Sequence, residues 1–278
     1  MSAQTKNHDY HLVDPSPWPA LASLSAFIMA VGAIAWMRDV TPWLFFIGFA
    51  GVLYSAFVWW ADVIKEANSG DHTPVVQLHH RYGMILFIAS EVMFFVAWFW
   101  AYFDGFFRVD DVEQFARVAA TGGIWPPAGV EVFDPWHLPL FNTLILLASG
   151  TAVTWAHHAL LEDDRNGFKW GLILTILLGA LFSVVQVIEY TSAAFSFSGN
   201  IYGSTFFMAT GFHGFHVLIG TIFLIVCLAR MLKGHFTPKQ HLGFEFAAWY
   251  WHFVDVVWLF LFASIYVWGS MGAVISHG

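Results

Sequence analysis

The chain has 278 residues, of which 58 % are hydrophobic and only 11 % are charged, and its mean hydropathy is +0.64. A soluble domain carries roughly 25 % charged residues, so this composition predicts an integral membrane protein. The net charge of −8 argues against nucleic acid as a partner. The single cysteine, Cys227, excludes a disulfide framework and a Cys-x-x-Cys motif within the chain.

Seven apolar segments are long enough to cross a bilayer, which takes about 20 helical residues. Turn-forming residues separate them, and we expect an all-α protein with seven transmembrane helices. The longest connection, about residues 107–136, is expected to form an ordered loop on the outer membrane face. The predicted spans are 19–37, 42–63, 79–106, 137–161, 168–195, 201–232 and 242–268.

The lysines and arginines predict the orientation of the chain, because basic residues concentrate in cytoplasmic connections. Three residues fall on the opposite side, namely Arg38, Arg108 and Arg117. The N-terminus is therefore expected in the cytoplasm and the C-terminus outside. The residues on the predicted cytoplasmic side are Lys6, Lys65, Arg81, Arg165, Lys169, Arg230, Lys233 and Lys239.

The seventh span carries ionisable side chains inside a tryptophan-rich apolar run. On a helix, Glu245, His252 and Asp255 fall on one side. Ionisable groups at membrane depth are costly unless they face protein or water. We therefore expect this side to face inward and to join an interhelical polar network.

Glu91 lies about 18 Å into the third span, counted along the helix axis. Its neighbours three and four residues away are Phe87, Phe94 and Phe95, and none can neutralise it. Because burying a charge is costly, we expect a protonated carboxyl. It either forms a hydrogen bond to a neighbouring helix or serves as a site of proton handling or subunit contact.

His213 and His216 in the sixth span share a face with small residues, which favours close helix packing with polar hydrogen bonds. Their spacing of three also permits ligation of a metal or haem. Glu189, near the end of the fifth span, is expected to make interfacial hydrogen bonds. Trp59 and Trp60, followed by basic residues, are typical of an interfacial aromatic anchor.

Several motifs in order along the chain resemble cytochrome c oxidase subunit III, the third core subunit of haem–copper oxidases. Together they cover nearly the whole chain, and their order makes the resemblance specific. They are Asp14-Pro-Ser-Pro-Trp-Pro19, Arg81-Tyr-Gly-Met-Ile-Leu-Phe87, Ser90-Glu91, Trp125-Pro-Pro127, Thr154-Trp-Ala-His-His158, Ala209-Thr-Gly-Phe-His-Gly214 and Ala248-Trp-Tyr-Trp-His-Phe-Val-Asp-Val-Val-Trp258.

The resemblance implies two bundles of two and five helices, separated by a V-shaped cleft filled with lipid. We assign residues 1–66 to the first bundle and residues 67–278 to the second. It implies no catalytic residue, haem or metal on this chain, with haems and copper in the catalytic subunit I and copper in subunit II. Cytochrome c would be the electron donor, and a bacterial plasma membrane, or the mitochondrial inner membrane, the location.

The resemblance also implies site residues. Glu91 matches the carboxyl that hydrophobic carbodiimides attack in this family. His213, His216, Glu245, His252 and Asp255 are assigned to the interhelical network. Two arginines of mitochondrial members are replaced here, by Ala61 and Lys65, and lysine lacks the bidentate fork of arginine. The predicted contacts to phospholipid are Trp59, Trp60, Lys65, Glu66, His72, Arg81 and Arg230.

The function expected from these residues is that of a non-catalytic core subunit of an aerobic terminal oxidase. It would stabilise the catalytic subunit and support its proton uptake. Three alternatives remain open at this point. They are subunit III of a quinol oxidase, a self-contained membrane enzyme with haem or two metal ions, and a proton transporter, against which the lack of inverted halves argues.

Overall fold

The computed structural model describes residues 8–276, so Lys6 lies outside the described residues. The fold is all-α apart from two strands of three residues, and seven of its helices are long and apolar enough to cross a membrane. The prediction of seven spans is confirmed. The helices are α1 (Trp18–Met37), α2 (Trp43–Ser69), α3 (Pro74–Phe107), α4 (Phe115–Thr121), α5 (Leu138–Leu161), α6 (Arg165–Thr191), α7 (Ile201–Leu232) and α8 (Leu242–Leu261), followed by a π-helical turn, Phe262–Trp268.

Several helix ends differ from the predicted limits because capping extends the helices into polar sequence. α2 continues to Ser69 and stops where Gly70 adopts a left-handed conformation, with φ of 88°. α6 begins at Arg165, since Asp164 Oδ1 accepts hydrogen bonds from the backbone N–H groups of Asn166 and Gly167, both at 3.0 Å. Apolar periodicity alone does not detect these polar turns.

Internal contacts divide the chain into two compact units, the first ending at Tyr82 and the second beginning at Gly83. The domain limits at residues 66 and 67 stay a prediction. In the first unit, α1 and α2 pack as a hairpin through small residues. A side chain at Gly32 would collide with the backbone of Phe45, and one at Gly48 with the backbone of Met29. Such close approach is typical of helix pairs in membranes.

In the second unit, Trp251 of α8 is the central packing residue and is fully buried. Its ring fits between Gly179 of α6 and Gly220 of α7, where a Cβ atom would lie 2.5 Å and 2.9 Å from ring carbons. Its indole N–H donates to Ser149 Oγ of α5 at 2.8 Å. One side chain therefore fixes the spacing of four helices.

About two turns further along α8, Trp258 repeats this arrangement. It is fully buried, and its indole N–H donates to Thr143 Oγ1 of α5 at 2.9 Å. Its ring packs edge-on against Phe182 of α6 at 4.8 Å between ring centroids. Each buried indole thus combines a large apolar contact with a satisfied donor.

The connection between α3 and α5 contains regular secondary structure, whereas its place on the outer membrane face stays a prediction. It contains α4 and strand β1 (Glu131–Phe133), which pairs in parallel with β2 (Val274–Ser276) near the C-terminus. Arg117 reaches back to Asp104 of α3 with an N–O distance of 2.8 Å. The sequence patterns did not predict the strand pair, since three residues are too few to show a period of two.

Two glycines of α7, Gly220 and Gly214, allow a test of how Trp251 packs. Gly220→Ala would place a methyl group against the ring of Trp251, whereas Gly214→Ala would place one in open space. We expect Gly220→Ala to lower the free energy of unfolding by about 1–3 kcal/mol. Gly214→Ala should be neutral or stabilising by up to about 1 kcal/mol.

The measurement is thermal denaturation of the detergent-solubilised complex, read by retention of this chain on native gels. Equal melting temperatures for the two variants would contradict the assigned role of Gly220.

Candidate functional site

Glu91 of α3 and His216 of α7 form an interhelical pair at membrane depth. The Glu91 Oε2 atom lies 2.8 Å from His216 Nε2. The imidazole is buried, with 9 % of its side chain exposed, and the carboxyl side chain is 24 % exposed. The carboxyl that the sequence singled out therefore meets a partner from another helix.

The hydrogen-bond partners fix the tautomer of His216. Its Nδ1 atom lies 2.6 Å from the carbonyl oxygen of Phe212, and a carbonyl oxygen only accepts, so Nδ1 carries a hydrogen. Nε2 then either accepts from a protonated Glu91 or donates to its carboxylate. In both states the pair holds one proton between its members and has no net charge.

Aromatic rings enclose the imidazole of His216. Phe95 of α3 is nearest, at 4.9 Å between ring centroids, and Phe94, Tyr250 and Phe253 lie at 6.0, 6.3 and 6.2 Å. The rings exclude water from the imidazole side of the pair and lower the local dielectric. In such surroundings, removing either Glu91 or His216 would leave the other without a hydrogen-bond partner, at a cost in free energy.

His213, one turn before His216, points to a different place. Its Nε2 donates to the carbonyl oxygen of Val254 on α8 at 3.1 Å, and its ring lies tilted against that of Trp258 at 5.0 Å between centroids. The two histidines therefore do not converge, although both cross-link α7 to its neighbours. The spacing of His213 and His216 permitted shared ligation of a metal or haem, but the two rings turn to different partners.

Asp255 and His252 of α8 interact with α5. Asp255 is buried, and its Oδ2 lies 3.6 Å from His252 Nδ1. A methyl group at Gly150 would collide with this carboxyl, so the glycine makes room for it. Thr154 Oγ1 donates to the carbonyl of Gly150 and therefore accepts from His252 Nε2 at 3.2 Å.

The expectation that all three polar residues of this span face inward was wrong for His252. Glu245 and Asp255 are buried, but the His252 side chain is 46 % exposed. The reason is local: the α5 residues beside it are Gly150 and Thr154, which are too small to cover the imidazole. His252 lies about 15 Å along the helix axis from Leu242, hence at mid-span.

Within residues 8–276, no group of three or more His, Cys, Asp or Glu side chains is arranged to hold a metal ion. Cys227 is buried, and its thiol contacts the carbonyl oxygen of Gly243 at 3.7 Å. The thiol thus serves as a small packing group between α7 and α8.

A cavity of about 330 Å³ in the first unit brings together two of the predicted lipid contacts, Trp59 and Glu66. His11 lies beside it, with its ring nitrogens 3.8 Å from Glu66 and Asp71 carboxylate oxygens. Sequence patterns missed the contribution of the N-terminal segment. The lining residues are Tyr10, His11, Val13, Trp59, Val63, Glu66, Val76, His79 and His80.

The other predicted lipid contacts have different surroundings. Lys65 forms an ion pair with Asp62 at 2.6 Å. Trp60 is exposed and does not line the cavity. The His72 ring lies 4.9 Å from that of His80. Arg81 lies in the first unit, whereas Arg230 lies in the second, where it covers the Phe236 ring at 4.5 Å.

The prediction of interfacial hydrogen bonds for Glu189 was wrong. Instead of lying at an interface, its side chain is fully buried and contacts Gln186 and Tyr266. The available signal was Gln186, one turn earlier on the same face of an otherwise apolar helix.

Comparison with known proteins decides the family of the chain. A sequence model described as cytochrome c oxidase subunit III matches residues 8–270. The chain belongs to this family. It is 56 % identical to cytochrome c oxidase subunit 3 of Marchantia polymorpha over 269 residues, covering 96 % of this chain and 98 % of that protein. It is 54 % identical to that of Arabidopsis thaliana and 52 % identical to that of Rattus norvegicus, with coverage of 96–97 % of this chain and 99–100 % of those proteins.

Family membership makes this subunit III a multi-pass membrane component of the cytochrome c oxidase complex. The chain therefore works in contact with other oxidase subunits. The paired groups Glu91–His216 and Asp255–His252 belong to one chain of a larger assembly, in which some exposed surfaces are covered.

Proposed function

We propose that this subunit III is a non-catalytic core subunit that stabilises the catalytic subunit of the oxidase and supports its proton uptake. The complex would transfer electrons from cytochrome c to O2 and pump protons. The family match over residues 8–270 carries the proposal. The described side chains agree with it, since the polar groups at membrane depth engage one another rather than converging on a reaction centre.

The partners in this proposal are the haem–copper subunit I and the copper-bearing subunit II, which would hold all haem and copper. Exposed His252 supports contact with a neighbouring subunit, because an imidazole at mid-span is costly when it faces hydrocarbon. Thr151 and Thr154 are exposed on the adjacent face of α5. This α5–α8 face therefore suits a helix with hydrogen-bonding side chains better than it suits lipid.

The proposed location is a bacterial plasma membrane, or equivalently the mitochondrial inner membrane, with the N-terminus cytoplasmic. The connections α2–α3, α5–α6 and α7–α8 emerge on one side by alternation of the spans. Basic residues lie at or beside these connections, with Lys65 in the last turns of α2, Arg165 at the start of α6 and Lys239 between α7 and α8. Their placement supports this side as the cytoplasmic one.

Affinity purification of the tagged chain from its native membrane tests the function. We expect it to co-purify with a haem–copper chain, and we expect the chain separated from that complex to show no haem Soret band and no stoichiometric copper. A separated chain that retains haem or copper would contradict the non-catalytic role. So would a tagged chain that purifies without a haem-bearing partner.

We also propose that the cavity at the cytoplasmic end of α2 binds a zwitterionic phospholipid. The imidazoles of His11 and His80 would donate to the phosphate, and the Glu66 carboxylate would meet an ammonium head group. Trp59, Val63 and Val76 offer an apolar wall for an acyl chain. We also propose contacts to phospholipid outside this cavity, by Trp60, Lys65, His72, Arg81 and Arg230.

Two tryptophans of α2 test the lipid proposal. Trp59→Ala removes part of the apolar wall, a loss of about 1.4 kcal/mol that should weaken lipid retention roughly tenfold. Trp43→Ala removes an equally large, 71 % exposed ring that does not line the cavity. Phospholipid in the purified complexes is quantified by mass spectrometry. Equal retention in both variants would show that the cavity is not a lipid site.

A further inference from the structure

Another buried carboxyl, Glu189, lies in a polar cluster that the proposed function does not use. The cluster joins α5, α6 and the π-helical turn through Asn142, Gln186, Glu189 and Tyr266. Asn142 and Glu189 have no exposed surface, and Gln186 and Tyr266 are 4 % and 2 % exposed. The side chains are therefore sealed inside the second unit.

Both donors that reach Glu189 use the same oxygen. Tyr266 Oη donates to Oε1 at 2.5 Å, and Gln186 Nε2 donates to Oε1 at 3.2 Å. The other oxygen, Oε2, has no hydrogen-bond partner among the described residues. A carboxylate would distribute donors over two equivalent oxygens, whereas a carboxylic acid accepts at its carbonyl oxygen and carries a proton on the other.

No cation compensates a charge at this place. Within the described part of the chain, no Lys, Arg or His side chain forms an ion pair with Glu189. The titratable groups that interact with it are Tyr190 of α6, Tyr202 of α7 and Tyr266, all neutral phenols. Burying an isolated carboxylate among them is strongly unfavourable.

The cluster contains a second buried atom without a hydrogen-bond partner among the described residues, Asn142 Oδ1. Asn142 Nδ2 donates to Gln186 Oε1 at 3.4 Å, which leaves Asn142 Oδ1 as a buried acceptor without a donor among the described residues. A proton on Glu189 Oε2 supplies a donor, and Asn142 Oδ1 supplies an acceptor. Both side chains are hydrogen-bonded to the same Gln186 amide, so the two unpartnered atoms belong to one buried cluster. A buried water molecule commonly satisfies such polar groups.

We propose that Glu189 is a protonated carboxyl that, together with Asn142, binds one buried water molecule. The water accepts from Glu189 Oε2–H and donates to Asn142 Oδ1. This site is separate from Glu91, which is paired with His216 and 24 % exposed along its side chain. It joins the second turn of α5, the C-terminal turns of α6 and the π-helical turn to one another.

Infrared spectroscopy of the intact oxidase tests the protonation state. Glu189→Gln keeps the carbonyl acceptor and places an N–H donor where the hydroxyl stood. We expect the spectrum of the wild type minus that of this variant to show the C=O stretching band of a protonated carboxyl, which moves to lower frequency in heavy water. Glu131→Gln, at an exposed strand position, should instead remove only carboxylate bands. A difference spectrum for Glu189→Gln that contains only carboxylate bands would overturn the proposal.

Tyr266→Phe provides a second variant in case Glu189→Gln does not assemble. Losing the donor to Oε1 should move the same C=O band to higher frequency, because the carbonyl bond strengthens when a hydrogen bond is removed. An unchanged carboxyl band in Tyr266→Phe would contradict the proposal. A high-resolution map of the oxidase tests the water, and absence of density between Glu189 Oε2 and Asn142 Oδ1 would overturn that part.

Discussion

The hydrogen bond between Glu91 and His216 shows the constraint that governs this chain, because polar groups at membrane depth need partners from the protein. The second hydrogen bond of the His216 imidazole runs from Nδ1 to the backbone carbonyl oxygen of Phe212. A carbonyl oxygen only accepts hydrogen bonds and cannot pass a proton on. The described bonds therefore end at that carbonyl and do not continue as a relay. The pair joins α3 to α7 as a neutral unit, and either member alone would be an unsatisfied group costing several kcal/mol.

The same constraint explains the interior of the second unit. Trp251 and Trp258 fill the space between helices while their N–H groups bond to Ser149 and Thr143. Large rings require small partners, and glycine at position 220 lets α7 approach the ring of Trp251. Rigid packing of this kind suits the proposed role of supporting a neighbouring subunit.

The sequence predicted the number and approximate limits of the spans, because long apolar runs bounded by turn residues leave little choice in a bilayer. It also predicted that Glu91 would need a partner, but not which histidine would supply it. His213 and His216 differ by one turn, and only the rotation of α7 against α3 decides which of them meets Glu91. Periodicity contains no information on that rotation.

The burial of Glu189 and the exposure of His252 were unpredictable for a related reason. Whether a side chain is covered depends on the size of residues on the next helix, as with Gly150 and Thr154 beside His252. The cavity beside Trp59 depends on the N-terminal segment folding back, where Thr73 Oγ1 donates to the carbonyl of Asp9 at 2.5 Å. These contacts are distant in sequence and carry no local pattern.

The claim that the Glu91–His216 pair supports the structure and does not conduct protons is tested most directly with Glu91→Gln. Glutamine keeps the shape of the side chain and one donor toward His216 Nε2. Oxygen consumption and proton ejection are measured in reconstituted vesicles, beside complexes that lack the whole chain. We expect Glu91→Gln to remain within about twofold of the wild type, or roughly 0.4 kcal/mol of barrier. Complexes without the chain should take up protons more slowly at higher pH and lose activity sooner. Loss of proton ejection in Glu91→Gln would contradict the account and place Glu91 on a proton path.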